Sequence, residues 1–161
     1  MLRPGMRAYL FPLAAGVALA ASAFLPWIIV GEDIALVGFP DTAALWIAGL
    51  GAAAALLATL SLITRKNSPH PLLLVGLVAL GIMFLSWRIM PRTISGRVLT
   101  RSQAVAIVDG APLGAVPQVA VGYGMYVGLI ASLVLVAFGL TIVIRRASQP
   151  YVVSDADDDV E

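Results

Sequence analysis

The chain has 161 residues, 60% of them hydrophobic and only 12% charged, and its mean hydropathy is +0.97. A soluble domain carries about 25% charged residues, so this composition excludes an ordinary water-soluble globular protein. The net charge of +1 is too balanced for a nucleic-acid-binding protein, and the absence of cysteine excludes disulfides and thiolate metal sites.

The apolar residues come in four blocks, each long enough to cross a membrane as a helix. About 20 residues, at about 1.5 Å of rise each, span a hydrocarbon core of about 30 Å. Ala and Leu dominate the blocks and no period-two alternation appears, which disfavours strands. The sequence therefore predicts an all-α membrane protein, a four-transmembrane-helix bundle within residues 1–147, with spans at about 8–30, 42–63, 71–89 and 121–144.

The first block, "AYLFPLAAGVALAASAFLPWIIV", allows two interpretations. Arg3 and Arg7 precede it and an A-x-A pattern ends at Ala23, as in a cleaved signal peptide. The apolar run continues through "FLPWIIV", which favours a complete span that is kept, and cleavage stays the alternative. Pro12 and Pro26 are expected to break or kink this helix locally.

Small residues at helical spacing predict where the helices pack. In lipid, Gly, Ala and Ser four residues apart let two helix backbones approach closely. The sequence leaves open whether the ridges pack within the bundle or against a partner helix. The ridges are Gly16 and Ala20 in the first span, Gly49 with Ala53 and Gly51 with Ala55 in the second, and Gly124, Gly128 and Ser132 in the fourth.

Basic residues near the span ends predict the orientation. Lys and Arg favour the cytoplasmic side, and the first helix usually weighs most. Four spans place six basic residues on one side and four on the other, which predicts a multi-pass protein of the cell inner (plasma) membrane with both termini cytoplasmic. The six are Arg3, Arg7, Arg65, Lys66, Arg145 and Arg146.

Aromatic residues cluster where the spans meet the other side. Tyr and Trp favour the membrane surface because an apolar ring there carries a polar group to the headgroups. Five are predicted interface anchors, with an aromatic-lined binding site as the alternative: Trp27, Trp46, Trp87, Tyr123 and Tyr126.

The segment "WRIMPRTISGRVLTR" carries four of the ten basic residues, Arg88, Arg92, Arg97 and Arg101. Pro91 is expected to end the third span, and residues 90–120 to form a short interfacial helix or a small hairpin. Guanidinium groups bind lipid phosphates through forked hydrogen bonds and pair with carboxylates, here Glu32, Asp33, Asp41 and Asp109. Recognition of an anionic ligand or partner is the alternative.

No catalytic group of residues is expected. His70 has no evident partner for a metal site or a triad, and no glycine loop suited to a phosphate appears. We therefore expect no enzyme, no metal and no cofactor. Asp41 or Thr42 is expected to cap the second span, and residues 148–161 to form a disordered acidic tail.

The run from "FLPWIIVGEDIALVGFPD" through "TAALWIAGLGAAAALLATLSLITRK" resembles small bacterial four-helix membrane proteins in which Leu-Pro-Trp ends the first span. Leu25, Pro26 and Trp27 carry most of the likeness, and "GYGMYVGLIASLVLVAFGL" is similar to their last span. Membrane proteins associated with tryptophan operons look like a related variant. The resemblance implies a bacterial inner-membrane protein and carries no functional residues over.

The expected function is a non-enzymatic membrane accessory or scaffold protein that packs with itself or with a membrane partner in the lipid bilayer. One alternative is an extracytoplasmic sensor or binder of an anionic ligand through the four arginines. Another is a small oligomeric transporter or channel, although no ionisable residue lies in the middle of any predicted span, where a proton path would need one.

Overall fold

The computed structural model describes residues 8–31, 34–64, 69–110, 112 and 116–147. Within them the chain forms four α-helices and one three-stranded antiparallel sheet. In chain order these are α1 (Leu10–Ser22), β1 (Pro26–Val30), β2 (Ile34–Val37), α2 (Thr42–Thr64), α3 (Pro69–Asp109), β3 (Val119–Val121) and α4 (Tyr123–Ala147). The acidic tail and six charged residues discussed above lie outside the described residues: Arg3, Arg7, Glu32, Asp33, Arg65 and Lys66.

Three helices, α2, α3 and α4, are long and apolar enough to cross a membrane. This agrees with the predicted second, third and fourth spans and is consistent with a membrane location. Many large apolar side chains on the helices face outward, as a lipid-facing surface requires, among them Phe11, Leu56, Ile63, Leu74 and Ile130.

The first span is the main difference from the sequence prediction. α1 has 13 residues, about 20 Å, and ends at Ser22 instead of continuing to residue 30. The N–H groups of Ala23, Phe24 and Leu25 each bond the carbonyl three residues earlier, so the helix tightens and stops. Pro26 then opens strand β1, whose "WIIV" run of aromatic and β-branched residues suits a strand.

Two prolines behave differently from the expectation. Pro12 is the third residue of α1, within the first turn, where its missing N–H costs no helical hydrogen bond, so it does not interrupt the helix. Pro91 lies inside α3, which runs on for 18 more residues to Asp109 instead of stopping. The lost bond falls near the end of the apolar run, where water or headgroups can satisfy the free carbonyl of Trp87.

The four helices pack as a ring in which α1 and α3 each contact both α2 and α4. Small residues make the closest approaches. A Cβ placed on Gly16 would lie 2.7 Å from the backbone N of Ala55, and one on Gly139 would lie 2.7 Å from Cβ of Leu73. The centre of the ring is filled by side chains with no exposed surface, Leu19, Met83, Met125 and Leu135 among them.

The sheet, in the order β2-β1-β3, sits where α1 ends and where α2 and α4 begin. We call this the sheet end of the bundle. β1 pairs with both neighbours, Ile29 opposite Ala35 on one side and opposite Ala120 on the other. Two backbone bonds outside the ladder extend the second pairing, from Gly31 N to Gln118 O (2.8 Å) and from Gly122 N to Trp27 O (2.7 Å).

Candidate functional site at the sheet end

The sheet end combines the sheet with the last 20 residues of α3, residues 90–109, which we call the α3 extension. Met90, Ile94 and Val98 of the extension pack against the core, as do Val119 and Val121 of β3. The prediction for residues 90–120 is therefore half right: the segment is helical up to Asp109 and adds a strand at its end, but the helix continues α3 instead of forming a separate element.

A cleft of about 360 Å³ opens between the sheet, the loop before α2 and the α3 extension. Its surface is mostly apolar. The lining residues are Trp27, Ile28, Leu36, Val37, Gly38, Pro40, Asp41, Met90 and Ile94.

Trp27 forms the fixed wall of the cleft. The ring is 1% exposed and its Nε1 donates a hydrogen bond to the carbonyl of Ser22 at 2.8 Å. Gly38 lies so close that a Cβ there would be 2.7 Å from Cε2 of the indole. The ring therefore belongs to the core and does not face lipid, which corrects its assignment as an interface anchor.

The other predicted anchors do face outward. Trp46 is 63% exposed, Trp87 36%, Tyr123 56% and Tyr126 49%, and all four lie where their helices meet or approach the sheet end. Their exposure leaves them available to a membrane surface.

Among the described residues, Asp41 is the one carboxylate that lines the cleft. Its Oδ1 accepts a hydrogen bond from the N–H of Ala43 at 2.9 Å, and its main-chain carbonyl accepts one from Leu45 at 3.0 Å. Asp41 is thus the N-cap of α2, one of the two residues that the sequence offered for this role.

All four arginines of the 88–101 segment are exposed and lie on α3, but they do not share a face. At about 100° per residue, Arg88 and Arg92 lie close together around the helix, and Arg97 and Arg101 lie about 180° from them. The pairs are also about 14 Å apart along the axis, measured from Arg88 to Arg97. A single site that uses all four arginines is therefore not formed.

The second pair is the one on the side of the cleft. Arg97 lies about one turn beyond Ile94, and Arg101 about two turns beyond it, on the face of α3 that carries Met90 and Ile94. The first pair, Arg88 and Arg92, faces away from the bundle. The four arginines are separated by four, five and four residues. On one continuous helix, the step of five residues between Arg92 and Arg97 moves the second pair to the other side.

Most of the predicted small-residue ridges pack inside the chain, but one position on α2 does not. Gly124 and Gly128 pack inside the chain: a Cβ on Gly124 would lie 2.8 Å from Cβ of Leu25, and one on Gly128 2.9 Å from Oγ of Ser22. Ser132 is fully buried. On α2 the packed residue is Gly51, whereas at Gly49 no atom of the described residues lies within 4 Å of an added Cβ, and Ala53 is half-buried.

Strand β2 is a feature that hydropathy did not indicate. It is an edge strand, and all four of its residues, Ile34–Val37, are exposed. Beside it, the rings of Phe24 and Phe39 stack with centroids 5.7 Å apart and both are exposed. The sheet end thus presents apolar surface as well as the arginines.

Within the described residues, no group of three or more His, Cys, Asp or Glu side chains is placed to hold a metal ion. His70 is exposed at the start of α3, at the opposite end of the bundle. The site offers apolar contact and guanidinium groups, which suit binding.

Comparison with known proteins gives no match to a family model, to a curated protein or to a solved structure. The resemblance to small bacterial four-helix membrane proteins therefore stays a prediction from Leu25, Pro26 and Trp27.

Proposed function

We propose that this chain is a non-enzymatic accessory protein of the inner membrane. It holds the sheet end at the extracytoplasmic surface of that membrane and presents it to a partner. The α3 extension is the observation that carries the proposal. α3 has 41 residues, about 60 Å, twice the thickness of a hydrocarbon core, so a large part of it projects beyond the apolar layer. Packing of Met90, Ile94 and Val98 against the core supports it as a rigid element.

We further propose that α1 also crosses the membrane, in addition to α2, α3 and α4. With four spans, both termini lie in the cytoplasm of a bacterial cell. α1 lies along α2 and α4, and the chain beyond it still contacts α4, where Leu25 meets Gly124. The Leu-Pro-Trp resemblance favours the same arrangement.

The packing inside the helix ring argues against a pore through a single copy of the chain. The centre of the ring is filled by buried side chains such as Leu19, Met83 and Leu135, which leaves no room for a pore between the four described helices. Gly49 is open to a partner helix, whereas Gly51, Gly124 and Gly128 are occupied within the chain.

A cysteine at Ser95 tests the orientation. Ser95 is exposed on the α3 extension, and the chain has no other cysteine. We expect a membrane-impermeant maleimide to label Ser95→Cys in intact cells or spheroplasts as fully as after lysis. Labelling that appears only after lysis would place the sheet end in the cytoplasm and reverse the proposed topology.

The accessory role is tested by affinity purification of the full chain from native membranes in mild detergent, followed by quantitative mass spectrometry. We expect a membrane protein in stoichiometric amount, absent from a parallel purification of an unrelated four-helix membrane protein carrying the same tag. Recovery of a monomer or homo-oligomer alone would contradict the proposal, as would solute flux through liposomes that contain only the purified chain.

A second candidate function is the binding of an anionic amphiphile at the cleft. It is favoured by one observation, that Arg97 and Arg101 lie on the face of α3 that lines the apolar cleft through Met90 and Ile94.

A further inference from the structure

We propose that the α3 extension carries a docking face for an acidic, partly apolar segment of a partner protein, formed by Arg97, Arg101, Val105 and Val108. The inference rests on the proposed accessory function and specifies the surface and the chemistry of its partner. At about 100° per residue the four side chains fall within about 80° around the helix, so they form one stripe. Both arginines are exposed, Val105 is 52% exposed and Val108 is 84% exposed.

This docking face continues the packing face of α3. The same side of the helix carries Met83, which is fully buried, then Met90 and Ile94, which pack against the core. Within the described part of the chain, Val98 is the last residue of α3 that packs there. Beyond Val98 the half-buried positions of α3 are Ser102 and Ala106, which lie about 100–140° around the helix from the centre of the stripe. The stripe itself is exposed and keeps two apolar members, so it is open to contact with another molecule.

The side chains define what that molecule must offer. Two guanidinium groups one turn apart match carboxylates in forked hydrogen bonds, and two valines further along need apolar contact. Two copies in the same membrane are related by a two-fold axis along the membrane normal, so their α3 helices would run parallel. Pairing through this face would then set Arg97 and Arg101 against their own counterparts, and like charges in contact are unfavourable. An acidic and apolar protein segment satisfies both requirements.

Lipid phosphates are the other anionic groups that the arginines could contact. The distances along the helix axis favour this contact for Arg88 and Arg92. Measured from Trp87 along the axis, Arg88 and Arg92 lie within about 8 Å, inside a headgroup layer that is about 5–8 Å thick. Arg97 lies about 15 Å and Val108 about 30 Å from Trp87, beyond that layer. The two pairs are thus assigned different partners: Arg88 and Arg92 contact headgroups, and Arg97 and Arg101 contact protein.

Photo-crosslinking in native membranes tests the docking face on the full-length chain. A benzophenone amino acid replaces Val108, and a matched control replaces Ile107, which is 81% exposed and lies about 100° around the helix from Val108. We expect a protein adduct at least tenfold stronger at position 108 than at 107, with the crosslink mapped to a partner segment that contains Asp or Glu.

Charge reversal supplies the second arm. In the position-108 background, Arg97→Glu with Arg101→Glu is expected to reduce the adduct at least tenfold, whereas Arg88→Glu with Arg92→Glu leaves it unchanged. All four arginines are exposed, so both double variants are expected to elute from size exclusion as the parent does. The comparison therefore reports on docking and not on folding.

Four results would overturn the docking face: equal adducts at 107 and 108, insensitivity to reversal at 97 and 101, an adduct with the mass of a lipid, or a crosslinked dimer of this chain. If a membrane protein copurifies but one of these four results is obtained, the accessory function stands and the docking face is rejected. Absence of both a copurifying partner and an adduct removes both proposals.

Discussion

Replacing Gly51 by leucine is expected to disrupt the packing of α1 on α2. A Cβ at this position would lie 2.8 Å from Cα of Ala20 and 2.8 Å from the carbonyl oxygen of Gly16, and both are backbone atoms that cannot turn aside. Overpacking costs about 1–3 kcal/mol even where side chains can adjust. We expect the midpoint of thermal unfolding in detergent, followed by circular dichroism, to fall by about 5 °C or more.

Gly49→Leu is the matched control, because it makes the same substitution two residues away in α2. An added Cβ at Gly49 meets no atom of the described residues within 4 Å, and leucine has a higher helix propensity than glycine by about 1 kcal/mol. The unfolding midpoint is therefore expected to stay the same or rise. If Gly49→Leu lowered the midpoint and Gly51→Leu did not, the arrangement of α1 against α2 described above would be wrong.

Trp27→Ala is expected to have the largest effect of any single substitution at the sheet end. Removing a buried Trp side chain costs about 3–5 kcal/mol. The change also removes the hydrogen bond from Nε1 to the carbonyl of Ser22 and the ring that Gly38 contacts. We expect low yield of monodisperse protein and a reduced unfolding midpoint in what is recovered.

Trp46→Ala serves as the comparison, since Trp46 is 63% exposed and has the same chemistry. Its unfolding midpoint in detergent is expected to stay within a few degrees of the parent. Equal losses from the two substitutions would mean that Trp27 is not a core residue, and a larger loss from Trp46→Ala would reverse the roles assigned to them.

The sequence alone predicted the three membrane-length helices, but it did not predict that the first helix ends at Ser22. Hydropathy measures how apolar a segment is, and "PWIIV" is as apolar in a strand as in a helix. The competing signal was local: two short apolar runs, "PWIIV" and "IALV", are separated by a turn with Gly31, whose φ of 67° suits glycine. A hairpin explains this pattern better than a helix followed by a loop.

Spacing alone could not select the packed ridge on α2. Gly49 and Gly51 are about 200° apart around the helix, and both have an alanine four residues later, so either could face α1. Only the tertiary arrangement, with Gly16 opposite Gly51 and Ala55, decides between them.

The prediction that Pro91 ends the third span was wrong for a different reason. Pro91 is a strong stop signal, and Thr93, Ser95 and Gly96, which follow it, have low helix propensity as well. The packing of Met90, Ile94 and Val98 on the core stabilises the helix through the proline, and the strand that α3 contacts, β3, lies about 25 residues further along the chain. Without the helix, the two faces of the arginines could not be assigned.

The pairing of β1 with β3 has a consequence for synthesis. Val30 and Val119 are partners, yet about 90 residues separate them along the chain. At about 5–20 residues per second, the ribosome needs roughly 4–18 s to make the intervening segment. During this interval β1 can pair with β2, but its other edge stays open and apolar, a surface on which a second strand can add. Closure of the sheet thus waits for β3, and a strand made about 90 residues later covers the open edge of β1.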